Sequence, residues 1–167
     1  LLLAICTFLT LLSFCWARTN HIYREQSARH LTKAMDGVLP GGKWIRTNPR
    51  TYAFLVVLQN ARNLALAAGK VYSIIPDCAG LWVKSPQLNP LPIDWTQPIE
   101  LNNEKLVNRV VQKLESIRSM NVVIVQKVEA LFLARGYVPL IVEYAVVDYV
   151  HENFKKISET QFFELYQ

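Results

Sequence analysis

The sequence has little charge, little glycine and few of the residues that hold metal ions. Charged residues make up 19% of the 167 residues and hydrophobic residues 51%, whereas an average soluble domain is roughly 25% charged. This composition excludes a disordered chain, because disorder requires low hydrophobicity and high charge. The length suffices for one domain with a sizeable core and is too short for two full ones. A mean hydropathy of +0.16 indicates that part of the chain lies in a membrane.

The same scarcity argues against several kinds of active site. No glycine lies in the turn 47–50 between a predicted strand and a predicted helix, so a dinucleotide-binding loop is not expected. No Gly-x-Ser-x-Gly nucleophile elbow is present. Cys6, Cys15 and Cys78 have neither a disulfide framework nor metal-ligand spacing, and the three histidines are scattered. We therefore expect no cofactor and no metal.

The positive charge of the chain is moderate. The sequence has 18 Lys and Arg against 13 Asp and Glu, which gives a net charge of +5 and a pI near 9.2. The basic residues are not interleaved with aromatic ones, so nucleic acid is not an expected partner. Lys105, Arg109 and Lys113 recur at helical spacing, and we interpret this row as a solvated helix face.

The apolar residues concentrate at the start of the chain, before the first charge at Arg18. A bilayer span needs about 20 apolar residues, and this run falls slightly short while beginning on Leu1 rather than on Met. We expect a transmembrane helix over residues 1–17, truncated by the start of the sequence, with Trp16 and Tyr23 at the membrane interface. A secretory signal is less consistent with the residues, which lack a basic leading region and a small-residue cleavage site. A buried core helix is the other alternative.

Residues 18–36 are predicted to be a connecting arm. Arg18, Arg24, Arg29 and Lys33 follow the apolar run against a single early acid, Glu25. Read alone, the positive-inside tendency places this flank in the cytoplasm.

The rest of the chain predicts alternating strands and helices. The turn at 36–42 is rich in Gly and Pro and marks the start of a compact domain over residues 37–167. Apolar patterns predict strands at 43–47, 70–75, 122–125 and 161–166, the third of them buried on both faces. Helical spacing predicts helices at 48–69, 102–117 and 139–154, with a strand over 140–147 as the alternative for part of the last.

Capping residues support two of these helices. Asn48 and Pro49 suit the start of the first one and Gly69 its end, and Asn102 is the predicted cap of the second. Strands that alternate with helices predict a small layered α/β domain with a mainly parallel sheet and right-handed crossovers.

A long irregular segment at 76–101 holds five of the eight prolines, with a short helix expected at 79–84. Loops of this length in compact domains are usually functional or packed against something else. Within it, the string 89–95 presents Asn89, Asp94 and Trp95 from a backbone that two prolines stiffen. Trp95 offers a flat apolar face with one donor, which suits a sugar ring or a membrane interface. A buried anchor is the alternative reading of Trp95.

The same segment contains three carboxylates, Asp77, Asp94 and Glu100. A pair of them would do acid/base work if the loop brings them together. The alternative is that Asp77 and Asp94 accept backbone N–H bonds in turns, which Asp residues do readily.

Four strings follow one another in an order that resembles a known family: GGKWIRTNPRTY at 41–52, IPD at 75–77, NPLPIDW at 89–95 and VIVQK at 123–127. The closing YVHENF at 149–154 and FELY at 163–166 fit the same pattern. Together they resemble the C-terminal soluble region of polytopic membrane glycosyltransferases of the GT-C class, similar to dolichyl-phosphate-mannose protein mannosyltransferases. The resemblance covers residues 37–167.

The resemblance implies a parent protein that transfers a sugar from a polyprenyl-phosphate carrier on the outer face of a membrane. The catalytic carboxylate of that class lies in an early extracytoplasmic loop, in a region outside this chain, so the chain alone should be inactive. Membrane lipid and a polyprenyl-phosphate-linked sugar are the implied partners. Asn89, Asp94 and Trp95 would hold the acceptor or the head group of the carrier, with Lys43 and Arg46 near a phosphate.

Two other functions stay open. The chain is alternatively a single-pass, membrane-anchored binding or scaffold domain without catalytic activity. A small anchored α/β enzyme that uses Asp77, Asp94 or Glu100 is the third hypothesis. The basic flank fits poorly with a domain on the outer face, so the topology predicted from charge and that implied by the resemblance disagree.

Overall fold

The computed structural model describes residues 2–20 and 25–167, so the expectations for Leu1, His21, Tyr23 and Arg24 lie outside the described residues. The first element is helix α1, Leu2–Asn20, which has no buried residue. Its length and composition are sufficient to cross a membrane. The predicted apolar helix is therefore confirmed and runs a little further than expected. Because the helix is fully exposed, it is not a core helix of the domain. A signal sequence near the N-terminus can have the same length and composition as a membrane span, so both interpretations fit α1.

The arm that follows α1 is attached to the domain. It contains a 3₁₀ helix, Ala28–His30, and strand β1, Lys33–Ala34. Strand β1 pairs antiparallel with β2, Arg46–Thr47, in a small two-stranded sheet. The predicted strand at 43–47 is thus shorter than expected, because Trp44 has a φ of 71° that interrupts the extended backbone.

Helix α2, Pro49–Ala67, begins and ends where its sequence signals predict. The Asn48 side chain accepts hydrogen bonds from the backbone N–H groups of Arg50 and Thr51, at 2.9 and 3.0 Å. Gly69 adopts a φ of 69° just beyond the helix end, a conformation that glycine tolerates without steric cost. Strand β3, Val71–Ile75, follows directly.

The main sheet has four strands in the order β3-β4-β6-β5. Strand β4 spans Asn121–Gln126, β5 spans Lys156–Glu159 and β6 spans Phe163–Tyr166. Only β3 and β4 are parallel, and the other two pairings are antiparallel. The sheet is therefore mixed, and the expectation of a mainly parallel sheet is wrong. The reason is that β5 and β6 are joined by a tight turn rather than by a crossover helix, and a tight turn reverses the chain.

The remaining helices differ from their predicted bounds. The short helix at Ala79–Lys84 is present as a 3₁₀ helix. Helix α3, Glu104–Ile117, is capped by Asn103, whose side chain accepts from the Leu106 N–H at 3.1 Å, so the predicted cap at Asn102 is wrong by one position. Lys105, Arg109 and Lys113 are exposed along it, as expected of a solvated face.

The last helix, α4, spans only Ala145–Asn153. The segment before it, predicted as helix or strand, is held in an irregular conformation by other bonds. The Leu140 N–H donates to the Lys127 carbonyl at 3.2 Å, and the Ile141 N–H donates to the Glu129 carboxylate at 3.0 Å. These contacts tie the segment to the loop after β4 and leave α4 to begin at Ala145.

Two cores lie on opposite faces of the sheet. On one face, α2 packs its Phe54 and Leu58 against Ile124 of β4. On the other face, Leu114 of α3 and Val150 of α4 belong to the core that contains β4 residues Val123 and Val125. Alternate residues of β4 thus enter different cores, as expected for a strand buried on both faces.

Strand β5 is an exposed edge that a network of charges holds to β6. The Lys156 Nζ lies 2.7 Å from a Glu159 oxygen and 2.9 Å from a Glu164 oxygen, and the Lys127 Nζ lies 2.6 Å from the other Glu159 oxygen. Hydrogen bonds from Lys127 and Lys156 lower the pKa of Glu159 to about 2. Charged side chains on an edge strand also discourage pairing with other chains.

We predict that Ile124→Ala lowers the free energy of unfolding by about 2–5 kcal/mol, because it leaves a cavity at the centre of the sheet. Ile124 is 0% exposed, whereas Ile99, in the long loop, is 77% exposed. The matched control Ile99→Ala should change stability by no more than about 0.5 kcal/mol. Urea unfolding followed by tryptophan fluorescence measures both values. Equal effects of the two substitutions would contradict this description of the core.

Candidate functional site

A mostly apolar cavity of about 260 Å³ lies where β3 ends. Asp77 and Cys78, which follow β3, line it together with Trp95 from the long loop and Thr51 from α2. The rest of the lining is apolar. It comes from α2, the segment before β2, the 3₁₀ helix Ala79–Lys84 and the segment after β4, in that order: Phe54, Leu55, Leu58, Met35, Leu39, Leu81, Ala130 and Leu133. The carboxyl ends of parallel strands are the usual place for ligands in open α/β sheets.

The long loop folds back onto the end of β3 and brings Trp95 beside Asp77. The backbones of Asp77 and Trp95 form an antiparallel bridge, and the Thr96 N–H donates to the Pro76 carbonyl at 3.0 Å. The Gln97 side-chain amide donates to Asp77 Oδ2 at 3.0 Å. Trp95 is 44% exposed, so part of its ring remains open to solvent and it is not a fully buried anchor.

Asn89 holds the tip of the same loop in shape. Its side-chain amide donates to the Ile93 carbonyl and to Asp94 Oδ1, both at 2.9 Å, and its Oδ1 accepts from the Leu91 N–H at 3.1 Å. Asn89 and Asp94 line a second, neighbouring depression of about 470 Å³ together with Trp82. The structure therefore places Asn89, Asp94 and Trp95 on one loop but on two different cavities.

The Trp82 indole N–H faces no acceptor in the part of the chain that the structure describes, although it is buried. The hydroxyl of Thr96 is likewise buried without a partner among the described residues. Most buried polar groups in proteins are hydrogen-bonded, so such atoms need an explanation. The Trp82 ring lines the depression, but its N–H has almost no accessible surface and is closed to a ligand in this conformation.

Lys43 and Arg46 lie apart from these cavities. Both are exposed, and neither is a lining residue of the cavity at Asp77 or of the depression at Asn89. The Lys43 Nζ lies 5.4 Å from the centre of the Trp44 ring, which is a cation–π contact. Arg46 pairs with Ala34 across the small sheet.

The acidic residues of the long loop are held by side-chain amides. Asp77 accepts from the Gln97 side-chain amide, and Asp94 accepts from the Asn89 side-chain amide. Glu100 is exposed. The two Asp carboxylates thus accept from different side-chain amides.

Cys78 links the ends of the two parallel strands. Its Sγ lies 3.7 Å from Oε1 of Gln126, a buried residue at the end of β4 whose amide also donates to the Val128 carbonyl. Burial, and next the Asp77 carboxylate, raise the pKa of the Cys78 thiol well above its ordinary value. A thiol with a raised pKa is a poor nucleophile at neutral pH, because the thiolate is the reactive form.

Sequence reasoning missed Thr51, Cys78 and Gln126 as members of this site. The available signal was positional, since Cys78 follows β3 closely and Gln126 ends β4. Because β3 and β4 are parallel neighbours, the residues at their carboxyl ends lie at one edge of the sheet.

No protein-family model, no curated protein and no solved structure matches this chain. No group of three or more His, Cys, Asp or Glu within residues 2–20 and 25–167 is placed to hold a metal ion. The cavity combines an apolar wall with a carboxylate, a hydroxyl and an indole ring. That set of groups suits the binding of a ligand with apolar and hydroxyl-bearing parts.

We predict that Cys78 reacts slowly with iodoacetamide in a Cys6→Ser/Cys15→Ser background. At about pH 8 its rate should be at least about tenfold below that of free cysteine, because the raised pKa leaves little thiolate. Asp77→Asn should accelerate the reaction by removing the neighbouring negative charge, whereas the control Asp94→Asn should not. Intact-mass time courses measure the rates. Alkylation as fast as that of free cysteine would contradict the raised pKa of the Cys78 thiol.

Proposed function

We propose that this chain is the extracytoplasmic C-terminal domain of a membrane glycosyltransferase that uses a polyprenyl-phosphate-linked sugar, with the catalytic region outside the chain. One observation supports this most. The four strings that resemble such enzymes are far apart in sequence, yet residues of all four meet at one end of the sheet. Thr51, Asp77 and Trp95 line a single cavity, and Gln126 contacts Cys78 in the same wall.

The character of the shared residues favours binding over a purely structural role. Strings needed only for folding would be explained by buried apolar positions, and the buried strand β4 is of that kind. Trp95 is partly exposed, and Asp77 is half-buried at the cavity. An exposed aromatic face beside a carboxylate is a common arrangement for holding a ring that carries hydroxyl groups.

In this proposal the domain holds a substrate and performs no chemistry itself. Trp95 provides a stacking surface, and Asp77 accepts hydrogen bonds from hydroxyl groups of the ligand. Asn89 keeps the loop in the shape that presents these groups. Helix α1 keeps the domain at the membrane surface, where a lipid-linked sugar is located.

A second function is consistent with the same cavity and the same apolar helix. The only apolar helix in the described part of the chain that is long enough to cross a membrane is α1. A single-pass, membrane-anchored binding or scaffold domain would need nothing more than this helix and the cavity. The two functions share the ligand-binding surface and differ in whether sugar transfer occurs in the complete protein.

We predict that Asp77→Asn and Trp95→Ala, made in the complete native polypeptide, impair substrate binding. Each should raise KM for the acceptor or for the polyprenyl-phosphate-linked hexose by about tenfold, equal to about 1.4 kcal/mol, and leave kcat within about twofold. Trp95→Phe, which keeps a flat ring, should restore most of the affinity. Initial rates of sugar transfer in membranes give both constants.

The matched control for Asp77 is Asp148→Asn, an exposed position on α4 that should change neither constant. Variants of Asp77 and Trp95 with unchanged KM would exclude the cavity as a substrate site. Membranes containing the unsubstituted protein that transfer no hexose from any polyprenyl-phosphate carrier would instead favour the anchored binding domain.

A further inference from the structure

A second cavity, separate from the one at Asp77, is lined by basic side chains. It measures about 380 Å³ and we call it the basic pocket; its lining residues are Gln26, Arg29, His30, Thr32, Asn48, Pro49 and Arg50. Every lining residue except Pro49 is polar or charged. Arg29 and His30 come from the 3₁₀ helix after α1, whereas Arg50 comes from the first turn of α2.

The basic pocket lies close to the membrane helix. The 3₁₀ helix Ala28–His30, which supplies two of its basic residues, is in contact with α1. Helix α1 ends at Asn20, and Arg18 lies in its last turn. If α1 spans the bilayer, the basic pocket is therefore at the level of the lipid head groups.

The two arginines of the basic pocket form no ion pair within the described part of the chain, residues 2–20 and 25–167. One N–H of Arg50 donates to the Arg135 carbonyl at 3.3 Å, which leaves most of the five guanidinium donors available. Two uncompensated guanidinium groups that converge on one concave surface repel each other, and an anion between them removes that repulsion.

The nearest acidic residue in the sequence, Glu25, lies beside the basic pocket but forms no ion pair with Arg29 or Arg50 among the described residues. Its carboxylate accepts hydrogen bonds from the Thr47 hydroxyl and the Asn48 side-chain amide, and Glu25 is not a lining residue of the basic pocket. The N-terminus of α2 is also not the source of affinity, because Asn48 already accepts from the N–H groups of Arg50 and Thr51. Recognition in the basic pocket rests on side chains.

We propose that the basic pocket binds a phosphate group, with the phosphate of a membrane lipid as the favoured source. Arginine forks match the oxygens of a phosphate in two parallel hydrogen bonds. The His30 Nδ1 is within 3.0 Å of the Ser27 hydroxyl, which orients the ring and leaves Nε2 for the ligand. Thr32 contributes a hydroxyl to the same wall. This site does not depend on sugar transfer, and it serves an anchored binding domain equally well.

The test uses the full chain, including α1, in micelles of a neutral maltoside detergent. The probes are dodecyl phosphate, which carries the group on an alkyl chain, and inorganic phosphate. Binding is measured by thermophoresis at low salt, where charge interactions are least screened. We expect Arg29→Gln to weaken the binding of dodecyl phosphate by about tenfold and Arg29→Gln/Arg50→Gln to weaken it further.

The control is Lys105→Gln/Arg109→Gln, which removes the same charge from the exposed face of α3. It should leave the affinity unchanged, so that a general effect of net charge is distinguished from a site. Arg29 is exposed, so Arg29→Gln alone should fold normally, and thermal unfolding of each variant verifies this.

Tighter binding of dodecyl phosphate than of inorganic phosphate would support a lipid source. Equal affinities that are both lost in the Arg29/Arg50 variant would support a site for free phosphate. Binding of neither probe, or an equal loss in the α3 control, would overturn the proposal. None of these outcomes depends on Asp77 or Trp95, so a failure here leaves the proposed function intact.

Discussion

The parallel pairing of β3 with β4 is the constraint on which the rest of the domain depends. Its register joins Val71 to Asn121 and Ile75 to Val125, so both strands end at the same edge of the sheet. Because β4 is buried along its whole length, this register cannot slip without moving its side chains into the wrong core. The long loop then closes over the end of β3, and the cavity at Asp77 is the space that remains between loop, sheet and α2.

Helix α2 contributes to both candidate binding surfaces. Its first turn provides Arg50 to the basic pocket, and the residues that follow provide Thr51 and Phe54 to the cavity at Asp77. The Asn48 cap fixes the start of this helix and is itself bonded to Glu25 of the arm. The arm after α1 is therefore part of the domain. If the basic pocket binds phosphate as proposed, Arg29 serves ligand binding, and its charge then does not indicate the side of the membrane on which the domain lies.

Local signals in the sequence were sufficient for the elements that they determine. Asn48, Pro49 and Gly69 fixed α2, and a continuous β-branched run fixed β4, because caps and burial act within a few residues. Other features depend on distant contacts. These are the mixed strand directions in the sheet, the edge strand β5 and the start of α4 at Ala145, before which the Ile141 N–H is bonded to Glu129. The cavity at Asp77 also depends on contacts between residues that are distant in the sequence. Asp77 and Trp95 are 18 positions apart in the sequence, and only the folded loop makes them neighbours.

The central claim is that this domain serves a larger membrane enzyme whose catalytic part lies elsewhere in the same polypeptide. The most direct test is the intact mass of the native protein, purified from its source membrane with an antibody against the domain. The chain described here has a mass of 19.1 kDa. We expect a native mass several times larger, with further membrane helices upstream of α1. A native mass close to that of this chain would contradict the claim and leave an anchored binding domain.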